Sequence, residues 1–430
     1  MKIAKELWTT FKKPILMIGA ILIVFFLAKG VLPFIANQTA NKTPIAEISA
    51  KNEKEYSKTQ EIKKSDFTVK AKHESGKTST LSNDDFELSK TSIDKTGSST
   101  ELVITLKKNK DISCKVKVKN KRKPIVSFEC GNPKLSDVKA ILYSNGELCF
   151  EGKGDVLIYD EGDFPWMDYE GEDDYPIEAV TFEDTVTPTS LDYFFSKIET
   201  LRYVKNIPSS VESMENTFSE TALTKAPDVS NCVNLLNMSG TYSECESLKY
   251  VPALPSTVRN IDSICEDCIS LEKAPDVTNA TDVISAKKSF KNCKKLIEGN
   301  VPSSVQDMSE MYSSCINLKS MPEIPNTVKI MDNAFSDDVS LTNLTNIPES
   351  VESANSCFNN CTKISGILLI NGNPSNYNSF FRGAATATKV DLQGSSKMLD
   401  ILASTADNDN ITVNGKAPDK TISYTDLVID

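Results

Sequence analysis

One histidine in 430 residues, His73, leaves the chain without the commonest metal ligand and the commonest general base. Positive charge is also short: 48 Lys and Arg stand against 59 Asp and Glu, a net charge of −11 that argues against nucleic acid as a partner. Apolar residues make up only 39% of the chain, and Ser, Thr, Asn and Lys fill much of the rest. With no nucleophile–base pair and no set of metal ligands visible, the chain reads as a non-enzyme with no cofactor and no resident metal.

What is present in quantity is a repeat. Tyr242-Ser-Glu-Cys245-Glu-Ser-Leu248 recurs as Phe290-Lys-Asn-Cys293-Lys-Lys-Leu296 and Tyr312-Ser-Ser-Cys315-Ile-Asn-Leu318. Looser copies run over Phe195–Leu201, Cys265–Leu271, Phe335–Leu341 and Phe358–Ile364. The anchors fall at 195, 218, 242, 265, 290, 312, 335, 358 and 381, with spacings of 22 to 25 residues. So steady a period predicts a stacked array in which no unit can bury its apolar face alone. Each unit has an apolar residue seven before the anchor (Val211, Leu235, Val258) and often Met or Ile four before it (Met214, Met238, Ile261). Cys or a small residue follows at plus three, Leu at plus six, then an apolar–Pro step such as Val251-Pro252. The expected coil has one short strand after the Leu and one short helix or 3₁₀ segment before the anchor, the strands forming a parallel ladder along a concave face.

The remaining chain divides by composition. Lys2, Lys5, Lys12 and Lys13 make residues 1–13 a basic cytoplasmic tail, and the apolar run 14–36 is long enough to span a bilayer if Lys29 snorkels. Ala28-Lys29-Gly30 also suits signal cleavage, so anchor and cleaved signal both remain open; either puts the body at or beyond the cell surface. Residues 37–64 read as a flexible linker. Alternating runs over 65–135 predict a small all-β domain rich in lysine, whose basic face could meet anionic wall polymers or lipid head groups. Residues 136–176, with Asn145-Gly146 as a hairpin turn and Phe164 and Trp166 as cover, predict the N-terminal cap. Repeats are expected over 177–393 and a C-terminal cap over 394–430.

Other candidate sites have plainer explanations. The acidic run 160–174 has oxygens that suit calcium but lacks EF-hand spacing. Ala71-Lys-His-Glu-Ser-Gly76-Lys77-Thr78 fits a loose phosphate-loop pattern without the strand–turn–helix such a loop needs. Cys245, Cys268, Cys293 and Cys315 share one repeat position, so a thiol ladder is expected. Parallel Cβ vectors ~4.8 Å apart exceed the ~3.8 Å of a disulfide, which favours buried free thiols. Cys265-x-x-Cys268 is absorbed by the same positions.

The pattern resembles the BspA-like leucine-rich repeats of bacterial surface proteins, whose unit reads Cys-x-x-Leu-x-x-Ile-x-Ile-Pro-x-x-Val-x-x-Ile-x-x-x-Ala-Phe-x-x-Cys. Cys245, Leu248, Val251, Val258, Ile261 and Cys268 match it, as do Cys315, Leu318, Met321, Val328, Met331 and Phe335. Cys265 and Asp338 depart from it, at the aromatic and Cys positions. The resemblance implies a leucine-rich repeat fold and a surface role in adhesion, with a host or neighbouring-cell protein or glycan as partner. A spacer of the cell envelope without a specific ligand is the alternative. The outward residues after each Leu are where a ligand would be met, and Arg202, Tyr203, Lys225, Lys249, Tyr250, Lys273 and Lys319 gather there. Tyr and Arg are favoured interface anchors, so an acidic or glycan-bearing partner is expected.

Overall fold

The computed structural model describes residues 43–56, 60–93, 99–167 and 175–423. The chain falls into two units, divided between Lys121 and Arg122.

In the first unit, seven strands form two sheets: β1 (Ile45–Lys51), β2 (Glu55–Tyr56), β3 (Thr68–His73), β4 (Thr78–Thr80), β5 (Phe86–Leu88), β6 (Ser99–Leu106) and β7 (Ser113–Asn120). The orders are β1-β3-β4 and β2-β7-β6-β5. Alternation sets the faces: Val69 and Ala71 on β3, and Val116 and Val118 on β7, turn inward, while the lysines between them stay exposed. His73 is buried, its Nδ1 2.8 Å from the Thr43 carbonyl and its Nε2 2.8 Å from Ser79 Oγ, so the lone histidine ties strands together.

The flexible linker expected over 37–64 is a misreading where those residues are described. Strand β1 pairs antiparallel with β3, and Ile48, Tyr56 and Ile62 enter the core. A register shift between Ile45 and Glu47 breaks the period-two pattern that would have marked β1 as a strand. The domain boundary expected at 135 also moves. Strand β8 (Pro124–Glu129) pairs with β10 (Val138–Tyr143) of the second unit, with Val126 and Phe128 against the repeat core.

Strand β9 (Gly131–Asn132) precedes β10, which forms a hairpin with β11 (Glu147–Gly152) around the Asn145-Gly146 turn. Strand β12 (Asp155–Val156) returns to β9. Strands β13 (Ala179–Phe182) and β14 (Tyr203–Val204) then add parallel to β11. Buried Glu147 holds this sheet: Arg122 meets its carboxylate at 3.0 Å and Thr181 Oγ1 donates to it at 2.7 Å.

The repeats stack through their backbone. Counting from each anchor, the N–H groups at −4, −2, 0 and +2 donate to carbonyls at −5, −3, −1 and +1 of the following coil, at 2.7 to 3.2 Å, from the coil of Phe195 to that of Phe358. Within a coil, the amide at −1 returns to the carbonyl at −4, as Phe194 does to Leu191. The helix or 3₁₀ segment expected before each anchor is therefore a run of turns. Residues at −2 and +2 are left-handed throughout, for instance Tyr193 (φ 61°) and Lys197 (φ 67°), or Asn333 (φ 54°) and Asp337 (φ 65°). A right-handed helix cannot contain such alternation. The apolar spacing that suggested a helix comes instead from a three-residue turn period.

Among the described residues, the one α-helix, α1 (Met398–Ala403), lies beyond the last anchor, between β16 (Val390–Gln393) and β17 (Ile411–Val413). With β15 (Gly366–Leu369) these strands form a parallel sheet in the order β15-β16-β17. No helix among the described residues is long and apolar enough to cross a membrane, and the expected segment 14–36 lies outside them.

Inside the stack the anchors form an aromatic column. Ring centroids lie 5.6 Å apart for Phe195–Phe218, 5.8 Å for Tyr312–Phe335 and 5.6 Å for Phe358–Phe381, and Cys265 interrupts the series. The thiols at +3 form a second column, each donating to the preceding anchor's carbonyl: Cys245 to Phe218 at 3.0 Å, Cys268 to Tyr242 at 3.0 Å, Cys315 to Phe290 at 3.0 Å. All eleven cysteines are free.

Candidate binding face

Each coil presents distinct edges to solvent, and two carry opposite charge. Residues at +2 and +4 bring Glu220, Glu244, Asp267, Glu199 and Glu246 around a depression of about 700 Å³. Desolvation, then the neighbouring Glu220, Asp267 and Glu266, pushes the Glu244 carboxyl above its ordinary range. At the two residues after each repeat Leu cations outnumber carboxylates, with Arg202, Lys225, Lys249, Lys273 and Lys319 against Glu272 and Glu298. Arg202, Tyr203, Lys225, Lys249, Tyr250, Lys273 and Lys319 are all exposed there, as expected from their offset after a buried Leu.

The backbone under this strip is a ladder with interruptions. Tyr203 pairs with Ala179 in β13, Lys225 bridges Tyr250, and Ser320 bridges Asn343. Amides of Lys249 and Lys319 donate to the preceding coil at Thr224 and Ile297. The longest run of bridges lies instead at −5, from Ser190 through Asn237 and Asp307 to Asn376. Its apolar neighbours at −7 and −4 are what place the expected helix or 3₁₀ segment over this column.

The Lys225 ammonium stands 5.8 Å from the centre of the Tyr250 ring, within cation–π range. Tyr203 and Tyr250 are each nearly half exposed, at 46% and 49%. Apolar side chains extend the strip. Ile297 is exposed beside a depression of about 370 Å³ that it shares with Glu272, Lys295, Asn317 and Lys319, and β15 exposes Ile367 and Leu369. Ile297 directly follows Leu296, so its offset could have marked it; Ile367 and Leu369 lie after a degraded copy that ends in Ile364.

Residues 122–430 hold 25 Lys and Arg against 46 Asp and Glu, so cations on this strip stand out against an acidic body. Among the described residues no group of three or more His, Cys, Asp or Glu is arranged to hold a metal ion, and part of the acidic run 160–174 lies outside them. The phosphate-loop-like segment is the β3–β4 hairpin, with Gly76 at φ 80° in its turn and no helix after it.

Comparison with known proteins agrees with this repeat geometry. The sequence profile described as BspA type leucine rich repeat region matches residues 172–285 and 283–403, in six copies. Comparison with curated proteins gives no match. Among solved structures, the chain is similar to a leucine rich cell surface protein of Faecalibacterium prausnitzii (22% identity over 46% of this chain, TM-score 0.28), and it spans 60% of that protein's length. It is also similar to a leucine-rich repeat protein of Bacteroides ovatus (15% identity, 67% of this chain and 76% of that one, TM-score 0.40). A third similarity is to the pneumococcal vaccine antigen PcpA (15% identity, 68% of this chain and all of that one, TM-score 0.29). These superpositions are partial, whereas the profile covers more than half of the chain, and on that match the protein belongs to the BspA type leucine-rich repeat family.

Proposed function

We propose that the protein is a non-enzymatic, membrane-tethered surface adhesin whose strip after each repeat Leu engages an anionic macromolecular partner, an acidic protein face or a glycan bearing acidic groups. The observation that carries this is the row of exposed Arg202, Tyr203, Lys225, Lys249, Tyr250, Lys273 and Lys319 on an otherwise acidic unit. Aromatic rings supply contact area at low entropic cost, and the cations favour encounter with opposite charge. Ile297, Ile367 and Leu369 add apolar area, so the contact is not electrostatic alone. The apolar segment 14–36 is the tether in this reading, leaving the repeats outside the cell.

The test is binding of the full chain to arrays of matrix proteins, glycans and neighbouring-cell surfaces, followed by the quadruple variant Lys225→Ala, Lys249→Ala, Tyr250→Ala, Lys273→Ala. Loss of at least tenfold in affinity for an identified partner is expected. Unchanged affinity overturns the assignment of the face. Failure to find any saturable partner favours a spacer of the envelope instead.

A further inference from the structure

The first unit carries a cavity of about 600 Å³ beside the outward face of β1 and β3. Strand register sets its chemistry. Lys51 lies opposite Thr68 and Ser49 opposite Lys70, so two ammonium and two hydroxyl groups alternate on the corners of one exposed square. One step along, Glu47 lies opposite Lys72 and pairs with it at 3.1 Å. The square has no such relief: the side chains of Ser49, Lys51, Thr68 and Lys70 make no hydrogen bond or ion pair among the described residues. Like charges on diagonal neighbours of a sheet repel.

Lys54 stands at the same cavity with its ammonium held by Asp66 at 3.0 Å, and the other Asp66 oxygen is taken by Tyr56 Oη and the Lys63 amide. That leaves Glu53 as the carboxylate at the rim without a partner among the described residues.

We infer that this cavity binds a phosphodiester carried on a polyol. Two cations and two hydroxyl donors on a square can be met by the two charged non-bridging oxygens of a phosphodiester, each of which accepts more than one hydrogen bond. The volume exceeds one phosphate and leaves room for the flanking polyol. A glycerol-phosphate polymer and a phosphatidylglycerol head group both offer this chemistry.

The experiment titrates the full chain, in a neutral detergent, with inorganic phosphate, with an oligomer of glycerol phosphate and with soluble dihexanoylphosphatidylglycerol. Saturable, salt-weakened binding is expected for one or both of the polyol phosphodiesters. Preference for the oligomer identifies a polymer as the source and preference for the lipid a head group. Lys51→Gln with Lys70→Gln should lower affinity at least tenfold, Lys72→Gln less than twofold, and Glu53→Gln should raise it. No saturable binding by any probe, or an equal loss in Lys72→Gln, overturns the inference.

Discussion

The indole nitrogen of Trp166 donates to the main-chain carbonyl of Phe194 at 2.8 Å. Phe194 stands at −1 in the first coil, where in later coils the carbonyl receives the anchor amide of the coil before. Trp166 thus takes the place of an absent coil, and its ring packs on Phe150, Phe164 and Phe194 at centroid distances of 5.1, 5.4 and 5.6 Å. Trp166→Phe keeps most of the ring contact and leaves a buried carbonyl unmet, which costs roughly 1–3 kcal/mol. A lowered urea midpoint for the repeat unit is expected, and an unchanged midpoint would show that the bond does not matter.

Two tyrosines in the aromatic column should respond oppositely to losing their hydroxyls. Tyr312 Oη bonds both the amide and the carbonyl of Asn300, whereas Tyr242 Oη is buried without a partner among the described residues. Tyr312→Phe should destabilise by about 1–2 kcal/mol, and Tyr242→Phe should stabilise by about 1 kcal/mol. Thermal midpoints moving the same way in both variants would contradict this.

Asp338 occupies the cysteine position of its coil, fully buried, and among the described residues neither carboxyl oxygen has a partner within full hydrogen-bond geometry. Burial pushes its carboxyl well above the ordinary 3.8, and the nearby Cys315 backbone only partly offsets that. At pH below 3.8 both folded and unfolded forms are protonated and no penalty arises. As pH rises past that value the unfolded chain ionises first, so stability is lost progressively until the folded carboxyl titrates. Asp338→Cys restores a thiol able to reach the Tyr312 carbonyl. Its stability advantage over the native chain, read by denaturant unfolding, should grow from pH 4 towards pH 8; a constant difference would rule out the titration.

Thiol chemistry should separate one cysteine from ten. Burial pushes Cys130, Cys149 and Cys245 up to about 12 and Cys232 up to about 11; desolvation raises Cys114 too, but it is the one cysteine that is only partly buried and so open to reagent. Iodoacetamide at pH 8 should label Cys114 first, and the others only with unfolding. Early labelling of Cys245 or Cys293, read by peptide mass, would mean the stack opens locally.

The stations of the repeat were legible because packing dictates them: Val258, Ile261, Leu248 and Cys268 must be apolar or small wherever coils stack. The burial of Phe164 and Trp166 was legible for a similar reason, since they are large rings in an otherwise acidic run. The conformation between stations was not. Left-handed positions usually announce themselves by glycine, yet here they hold Tyr193, Lys197, Asn216 and Asp267, whose amides the neighbouring coil fixes. Strand β1 escaped notice because its bulge hides the alternation. For the candidate strip, the offset after each Leu pointed to the exposure of the seven residues, but Ile367 and Leu369 needed the register of β15.

Four bonds at each junction, from the amides at −4, −2, 0 and +2, run one way, donors towards the C-terminus and acceptors towards the N-terminus, while the amide at −6 donates back to the preceding coil, as Leu236 does to Glu212. Cutting out one interior coil, or copying it, therefore rejoins like to like and leaves every junction as before. The ends have no such freedom. The opening side needs a donor such as the Trp166 indole, and the closing side needs acceptors, supplied here by Thr405 Oγ1 to the Phe381 amide and Asp407 to that of Gly383. The length of the array can thus drift by whole units over evolutionary time, while its two termini cannot be exchanged.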